Sequence, residues 1–220
     1  MTKGQKQTIF SSTLVVLLIL IDQLIKIYVK THFYLGEDII VTNWFHLIFV
    51  ENNGMAFGME VFGKLFLTGF RILAMVFIIW YMTKHIRMGM KWGYLFVLSL
   101  VLAGAVGNIV DCVFYGEIFT ASGINPYLEG SLAHLVPFGE GYGTLFEGRV
   151  VDMFQFPLFD WFWPTWMPFI GGKYFLFFSP IFNFADACIS CGIVSLFLFY
   201  RNELSQEDKQ VQQTESETVE

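Results

Sequence analysis

The side chains able to do chemistry in this chain are acids and amides set in apolar surroundings. Asp152 stands in Val150-Val151-Asp152-Met153-Phe154, and Asp186 in Phe182-Asn183-Phe184-Ala185-Asp186-Ala187. A third acid, Asp111, closes the run Gly104-Ala105-Val106-Gly107-Asn108-Ile109-Val110-Asp111. A carboxylate inside hydrocarbon costs at least about 2.5–3.5 kcal/mol at mid-span, so such residues are functional candidates by default. Two carboxylates sharing a poorly hydrated site cannot both ionise easily, so the pair holds one proton. The ionised partner can activate a water, and the protonated partner can polarise a carbonyl and protonate a leaving amine. That is peptide hydrolysis without a metal or a nucleophilic side chain. On physical grounds Asp111 and Asp152 are both candidate partners for Asp186. Asp160, in Phe159-Asp160-Trp161, reads as an exposed interfacial charge.

Other catalytic chemistries find little support. The four histidines, His32, His46, His85 and His134, are scattered without ligand-like spacing, so no metal site or cofactor is expected. Neither G-x-S-x-G nor H-E-x-x-H occurs, and there is no G-x-G-D block of the presenilin type. Cys188 and Cys191 spell C-x-x-C but fall inside an apolar helical stretch, where small apolar filling is the expected role.

These residues need positioning elements, and the apolar pattern supplies them. The chain has 220 residues, 55% of them hydrophobic and only 15% charged, against about 25% charged in soluble domains. Four stretches, at about residues 8–29, 64–83, 92–111 and 178–200, are long enough to cross a bilayer. Lys3 and Lys6, the Lys84–Lys91 loop and Arg201 flank them on one side, which predicts both termini in the cytoplasm. Two longer segments, at about residues 30–62 and 113–177, then lie outside. In the first, Ile39-Ile40-Val41 and Phe45 to Val50 read as short strands. In the second, Glu117 to Glu147 reads as an irregular loop, and Met153 to Phe169, with Trp161, Trp163 and Trp166, reads as an element along the outer leaflet. Arg201 to Glu220 is acidic and reads as a disordered cytoplasmic tail. The fold class is an α-helical integral membrane protein: four transmembrane helices, a small periplasmic β-rich element and an outer-leaflet interfacial segment, in one domain over about residues 1–200.

Within the spans, Asp22 and Lys26 stand four apart on one helical face and read as a structural ion pair near the outer boundary. Arg71 is expected to snorkel or to pair with a carboxylate of another span. Gly104, Gly107, Asn108 and Asp111 share one face that admits a close neighbour. Asn183, Asp186 and Ser190 form a second polar stripe. No basic run with interleaved aromatics occurs, so nucleic acid is not an expected partner.

Four blocks of this sequence together resemble the lipoprotein signal peptidase (signal peptidase II) family. They are Asp22-Gln23-Leu24-Ile25-Lys26, Asn52-Asn53-Gly54-Met55-Ala56-Phe57-Gly58, Gly104 to Asp111, and the pair Val150-Val151-Asp152 with Asn183-Phe184-Ala185-Asp186. The resemblance implies an aspartyl protease of the bacterial inner membrane, with its active site toward the periplasm. It implies cleavage of diacylglyceryl-modified prolipoproteins before the lipidated cysteine, and inhibition by globomycin. It makes Asp152 and Asp186 the catalytic pair. Asn108, Asn183, Asp111, Asn52, Asp22, Lys26 and Arg149 become supporting or substrate-binding residues. Membrane lipids are the other expected partners. Two departures stand out: Cys112 occupies a position where the family has arginine, with Arg149 or Arg71 as candidate substitutes, and the 117–147 segment is an insertion. The competing reading is a small proton-coupled transporter or channel lined by the same polar residues, and a third is a scaffold whose polar stripes only join helices. The sequence shows no internal repeat of the kind many transporters carry.

Overall fold

The computed structural model describes residues 1–53, 64–128, 130–201 and 203. Among these described residues, four helices and six strands follow in the order α1 (Lys3–His32), β1 (Asp38–Thr42), β2 (Phe45–Asn52), α2 (Lys64–Arg87), α3 (Trp92–Ile118), β3 (Val150–Gln155), β4 (Phe159–Phe162), β5 (Tyr174–Phe177), β6 (Ile181–Phe182) and α4 (Phe184–Phe199). Residues 54–58 of the Asn52 to Gly58 block, and all of the expected acidic tail from 204 onward, lie outside the described residues.

Among the described residues, three helices, α1, α2 and α3, are long and apolar enough to cross a membrane. They differ from the sequence expectation at their ends. Helix α1 begins earlier because Thr2 and Gln5 form a reciprocal cap: the Gln5 N–H donates to Thr2 Oγ1 at 3.2 Å, and the Thr2 N–H donates to Gln5 Oε1 at 2.8 Å. Helix α3 runs two turns past Asp111 to Ile118, which leaves Asp111 inside the helix instead of at its end. Helix α4 starts at Phe184, six residues later than expected, because Ile181 and Phe182 pair with β3. Its 16 residues make a rod of about 24 Å, short of the ~30 Å hydrocarbon core.

Helix α3 is central, packing against α1, α2 and α4. Its glycines permit this: a Cβ on Gly104 would meet the Ala185 carbonyl and Ile189 Cγ1, the latter at 2.7 Å. The outward faces of the helices carry Leu17, Leu20, Leu24, Leu73, Phe77, Phe197 and Phe199, all exposed. Ser190, expected in a polar stripe with Asn183 and Asp186, is exposed among them.

Four strands form an antiparallel sheet in the order β1-β2-β3-β6. Strand alternation decides the site. Val151 and Met153 enter an apolar cluster with Val29, Phe33, Phe49, Tyr115 and Phe119, so Asp152 between them points to the opposite face. Strands β4 and β5 form a separate hairpin lined with aromatics, Phe159 stacked on Phe177 and Trp161 tilted against Phe175, with ring centres 4.5 Å apart in each pair. Trp166 and Phe169, on the turn that joins them, are largely exposed. Of the 117–147 segment, expected to be an irregular loop, the first two residues, Glu117 and Ile118, close α3; beyond them it holds no named strand or helix among the described residues.

Candidate active site

Asp152 arrives on β3 and Asp186 on the first turn of α4. Two asparagines join them. Asn183 Nδ2 donates to Asp152 Oδ1 at 2.7 Å and to Asn108 Oδ1 at 3.1 Å. Asn108 Nδ2 donates to Asp186 Oδ1 at 2.7 Å. Asn183 is also the N-cap of α4: the Asp186 N–H donates to Asn183 Oδ1 at 2.9 Å, and the Asn183 N–H donates to Asp186 Oδ2 at 3.4 Å. One capping box therefore starts the helix and fixes an acid of the pair at the helix N-terminus, where negative charge is favoured.

Asn52 Nδ2 donates to Asp152 Oδ2 at 3.2 Å. The ladder explains this reach: Asn52 pairs with Val150 and Val50 with Asp152, so Asn52 is the diagonal neighbour of Asp152 on one sheet face. Asp152 is 3% exposed. Burial, and then the charge of Asp186, push its pKa up to about 7, against hydrogen bonds from Asn52 and Asn183 that favour the ionised form.

Beneath the pair lies a buried knot. Lys26, with no exposed surface, meets Asp111 at 2.8 Å, Asp22 at 2.9 Å and Asn108 Oδ1 at 2.9 Å. Gln23 Nε2 donates to Asp111 Oδ1 at 2.9 Å and to the Gly107 carbonyl at 3.1 Å, while Tyr115 donates to Gln23 Oε1 at 3.0 Å. The Val151 N–H donates to Asp111 Oδ2 at 3.3 Å, and the Ala185 N–H to Asp22 Oδ1 at 2.9 Å. The knot thus ties the strand before Asp152 and the helix turn before Asp186 to the same lysine. The Asp22–Lys26 pair is present as expected, but it is two-thirds of a triad. Asp111 is consumed in that triad, away from the amide bridge between Asp152 and Asp186.

The two arginines offered as substitutes for the family arginine have different partners. Arg71 meets no carboxylate among the described residues; its Nη1 donates to Cys112 Sγ at 3.2 Å. Arg149 Nη1 pairs with Glu51 Oε2 at 2.9 Å. Of the two candidate substitutes for the missing arginine, Arg71 is the one beside Cys112. Sequence reading overlooked Gln23, Lys30, Glu51 and Tyr115. Lys30 carries a signal: it continues the four-residue spacing of Asp22 and Lys26 along α1.

Comparison with known proteins agrees with this architecture. The family model described as Signal peptidase (SPase) II matches residues 14–201. The lipoprotein signal peptidase of Porphyromonas gingivalis strain W83 is 50% identical over 195 residues, covering 88% of this chain and 84% of that one. That of Amoebophilus asiaticus is 32% identical over 210 residues, covering 90% and 80%. Two solved chains described as bacterial membrane enzyme structures superpose with TM-scores of 0.55 and 0.54 at 19% and 20% identity, covering 90% and 86% of this chain and 90% of each of those. The fold is that of these membrane enzymes, and with the family match spanning both acid-bearing elements, the chain belongs to the signal peptidase II family.

Proposed function

We propose that this chain is an intramembrane aspartyl endopeptidase that removes signal peptides from diacylglyceryl-modified prolipoproteins, cleaving before the lipidated cysteine, with Asp152 and Asp186 as its catalytic pair. The observation that carries the assignment is the bridge Asp152–Asn183–Asn108–Asp186, which holds two carboxylates from different elements in a shared, poorly hydrated site. With its pKa near 7, Asp152 holds the shared proton at and below neutral pH. It polarises the scissile carbonyl and later protonates the leaving amine, while Asp186 takes a proton from the attacking water. The amides fix the geometry without competing for the proton. Family membership favours peptide hydrolysis over the transporter or channel reading.

The basic residues of Lys3, Lys6, Lys84, Arg87, Lys91 and Arg201 put both termini in the cytoplasm. The sheet and the acid pair then face the periplasm. Helix α4 serves as a fourth span, completed by its neighbours. The β4–β5 hairpin, between the two acid-bearing elements, rests in the outer leaflet, where tryptophan and tyrosine collect. Arg71, on α2, supplies the cation that the family places at the Cys112 position, and globomycin-type peptides bind at the pair.

The test is incubation of the purified protein in nanodiscs with a diacylglyceryl-modified preprolipoprotein. Asp152→Asn and Asp186→Asn are each expected to abolish cleavage while remaining folded, and globomycin to inhibit the unmodified protein. Normal processing by either variant refutes the pair.

A further inference from the structure

Among the described residues, a further buried charged cluster lies outside the acid pair and the knot. Glu51, on β2, has a side chain 2% exposed. Its Oε1 accepts from Lys30 Nζ of α1 and from Ser122 Oγ at 2.7 Å, and its Oε2 accepts from Arg149 Nη1 at 2.9 Å. Lys30 Nζ also donates to Ser122 Oγ at 3.1 Å and sits 5.0 Å from the ring centre of Tyr142. The Arg149 N–H donates to the Tyr142 hydroxyl at 2.7 Å, and its guanidinium lies over the same ring at 5.1 Å. The cluster joins α1, β2 and the approach to β3 to two residues, Ser122 and Tyr142, of the 117–147 segment. Burial opposes the charge on Glu51, but Lys30, Ser122 and Arg149 outweigh it and hold the carboxyl below its ordinary pKa.

The place of this cluster on the ladder is the informative feature. Glu51 pairs with Val151, and the β2–β3 register shifts between Leu47 and Val50, immediately before it. A one-residue slip would turn Asp152 to the apolar face that Val151 and Met153 now occupy. A buried ion pair is a poor source of net stability, because desolvation offsets the attraction; fixing a register is its best-attested use. We propose that Glu51, clamped by Lys30, Arg149 and Ser122, is a positioning residue that pins the β2–β3 register and so aims Asn52 and Asp152 at the reaction centre. The 117–147 segment is then a structural strut of the active site. This rests on Asp152 and Asp186 being the catalytic pair.

The groups that face Asp152 are Asp186 from α4, Lys26 from α1, Asn52 from β2 and Asn183; Asp111 from α3 holds the adjacent Val151 N–H. Loosening Glu51 weakens the Asn52 hydrogen bond, which favours ionised Asp152, and leaves the others in place. The experiment compares full-length Glu51→Gln, Arg149→Met and Arg149→Lys in nanodiscs, with folding followed by size exclusion and thermal melting. Glu51→Gln is expected to lower kcat about tenfold, leave KM within about twofold, and move the alkaline limb of kcat/KM, which reports loss of the Asp152 proton, to higher pH. Arg149→Lys is expected to retain more activity than Arg149→Met. Wild-type kcat and pH profile in Glu51→Gln overturn the proposal. So does a loss matched by a fall in inhibitor-titratable sites with an unchanged profile, which marks a merely structural role. Should Glu51→Gln not fold, equal activities of the two Arg149 variants overturn it. An active Asp152→Asn would instead refute the catalytic pair itself.

Discussion

Asp152 is held in a state that a folded protein tolerates at a cost, and replacing it tests that physics separately from catalysis. Its pKa rises from an ordinary 3.8 to about 7 on folding, with burial as the main cause and Asp186 the second. Between these values the folded state binds a proton that the unfolded state has released, so stability falls as pH rises, at about 1.36 kcal/mol per unit. Over roughly three units the ceiling is about 4 kcal/mol, reached above pH 7 and absent below about pH 4. Asparagine removes the titration. It also sets one amide N–H group against a donor, since Asp152 accepts from both Asn52 and Asn183. That mismatch costs about 1–3 kcal/mol at every pH. Asp152→Asn is therefore expected to be inactive, less stable than the unmodified protein near pH 4.5, and as stable or more so at pH 8. The assay is thermal or denaturant unfolding of both proteins in the same micelle across this range. A stability difference that does not change with pH would refute the reasoning, whatever the variant does to cleavage.

Other consequences are as direct. Asp111→Asn should destabilise at pH 7 by about 3–5 kcal/mol, because it leaves Lys26 buried with one carboxylate fewer; unfolding beside Asp152→Asn would show opposite signs for the two acids. Gly104→Ala should cost about 1–3 kcal/mol and reduce activity, because the added methyl meets the Ala185 carbonyl one residue before Asp186; unchanged melting would contradict the α3–α4 packing. Arg71→Met should reduce kcat/KM about tenfold or more, and adding Cys112→Arg should recover part of it, since the two side chains are in contact; kinetics of the single and double variants decide.

Much of the site was legible in the sequence because the costs that betray it are large. An acid among apolar residues is conspicuous, and Asp22, Asp111, Asp152 and Asp186 were all visible on that ground. Their partition was not. Spacing made Asp111 and Asp152 equal candidates, and resemblance alone separated them, because periodicity says which face a residue occupies but not which partner it meets. The structure supplies the physical reason: Asp111 shares Lys26 with Asp22, whereas Asp152 shares amides with Asp186. The start of α4 was also misplaced. Phe178, Ile181 and Phe182 carry the apolar run up to the helix, so hydropathy crosses the boundary, and the marks of it are Pro180 and the cap Asn183 with Asp186 three residues on. The Glu51 cluster was hidden for a different reason. Its members lie at positions 30, 51, 122, 142 and 149, and only the sheet and the inserted segment bring them together.

That late helix start is what the proposed chemistry requires. Had α4 begun at Phe178, Asp186 would stand more than two turns inside a span, where a charge is most costly and a polar peptide has no approach. Ending the strand at Phe182 and capping at Asn183 brings the acid to the first turn, beside the polar end of the bundle. There the same asparagine that satisfies the helix N–H groups also holds Asp152. The fold therefore sets the depth of the pair through a capping box, and loss of Asn183 would disturb helix start and acid geometry together.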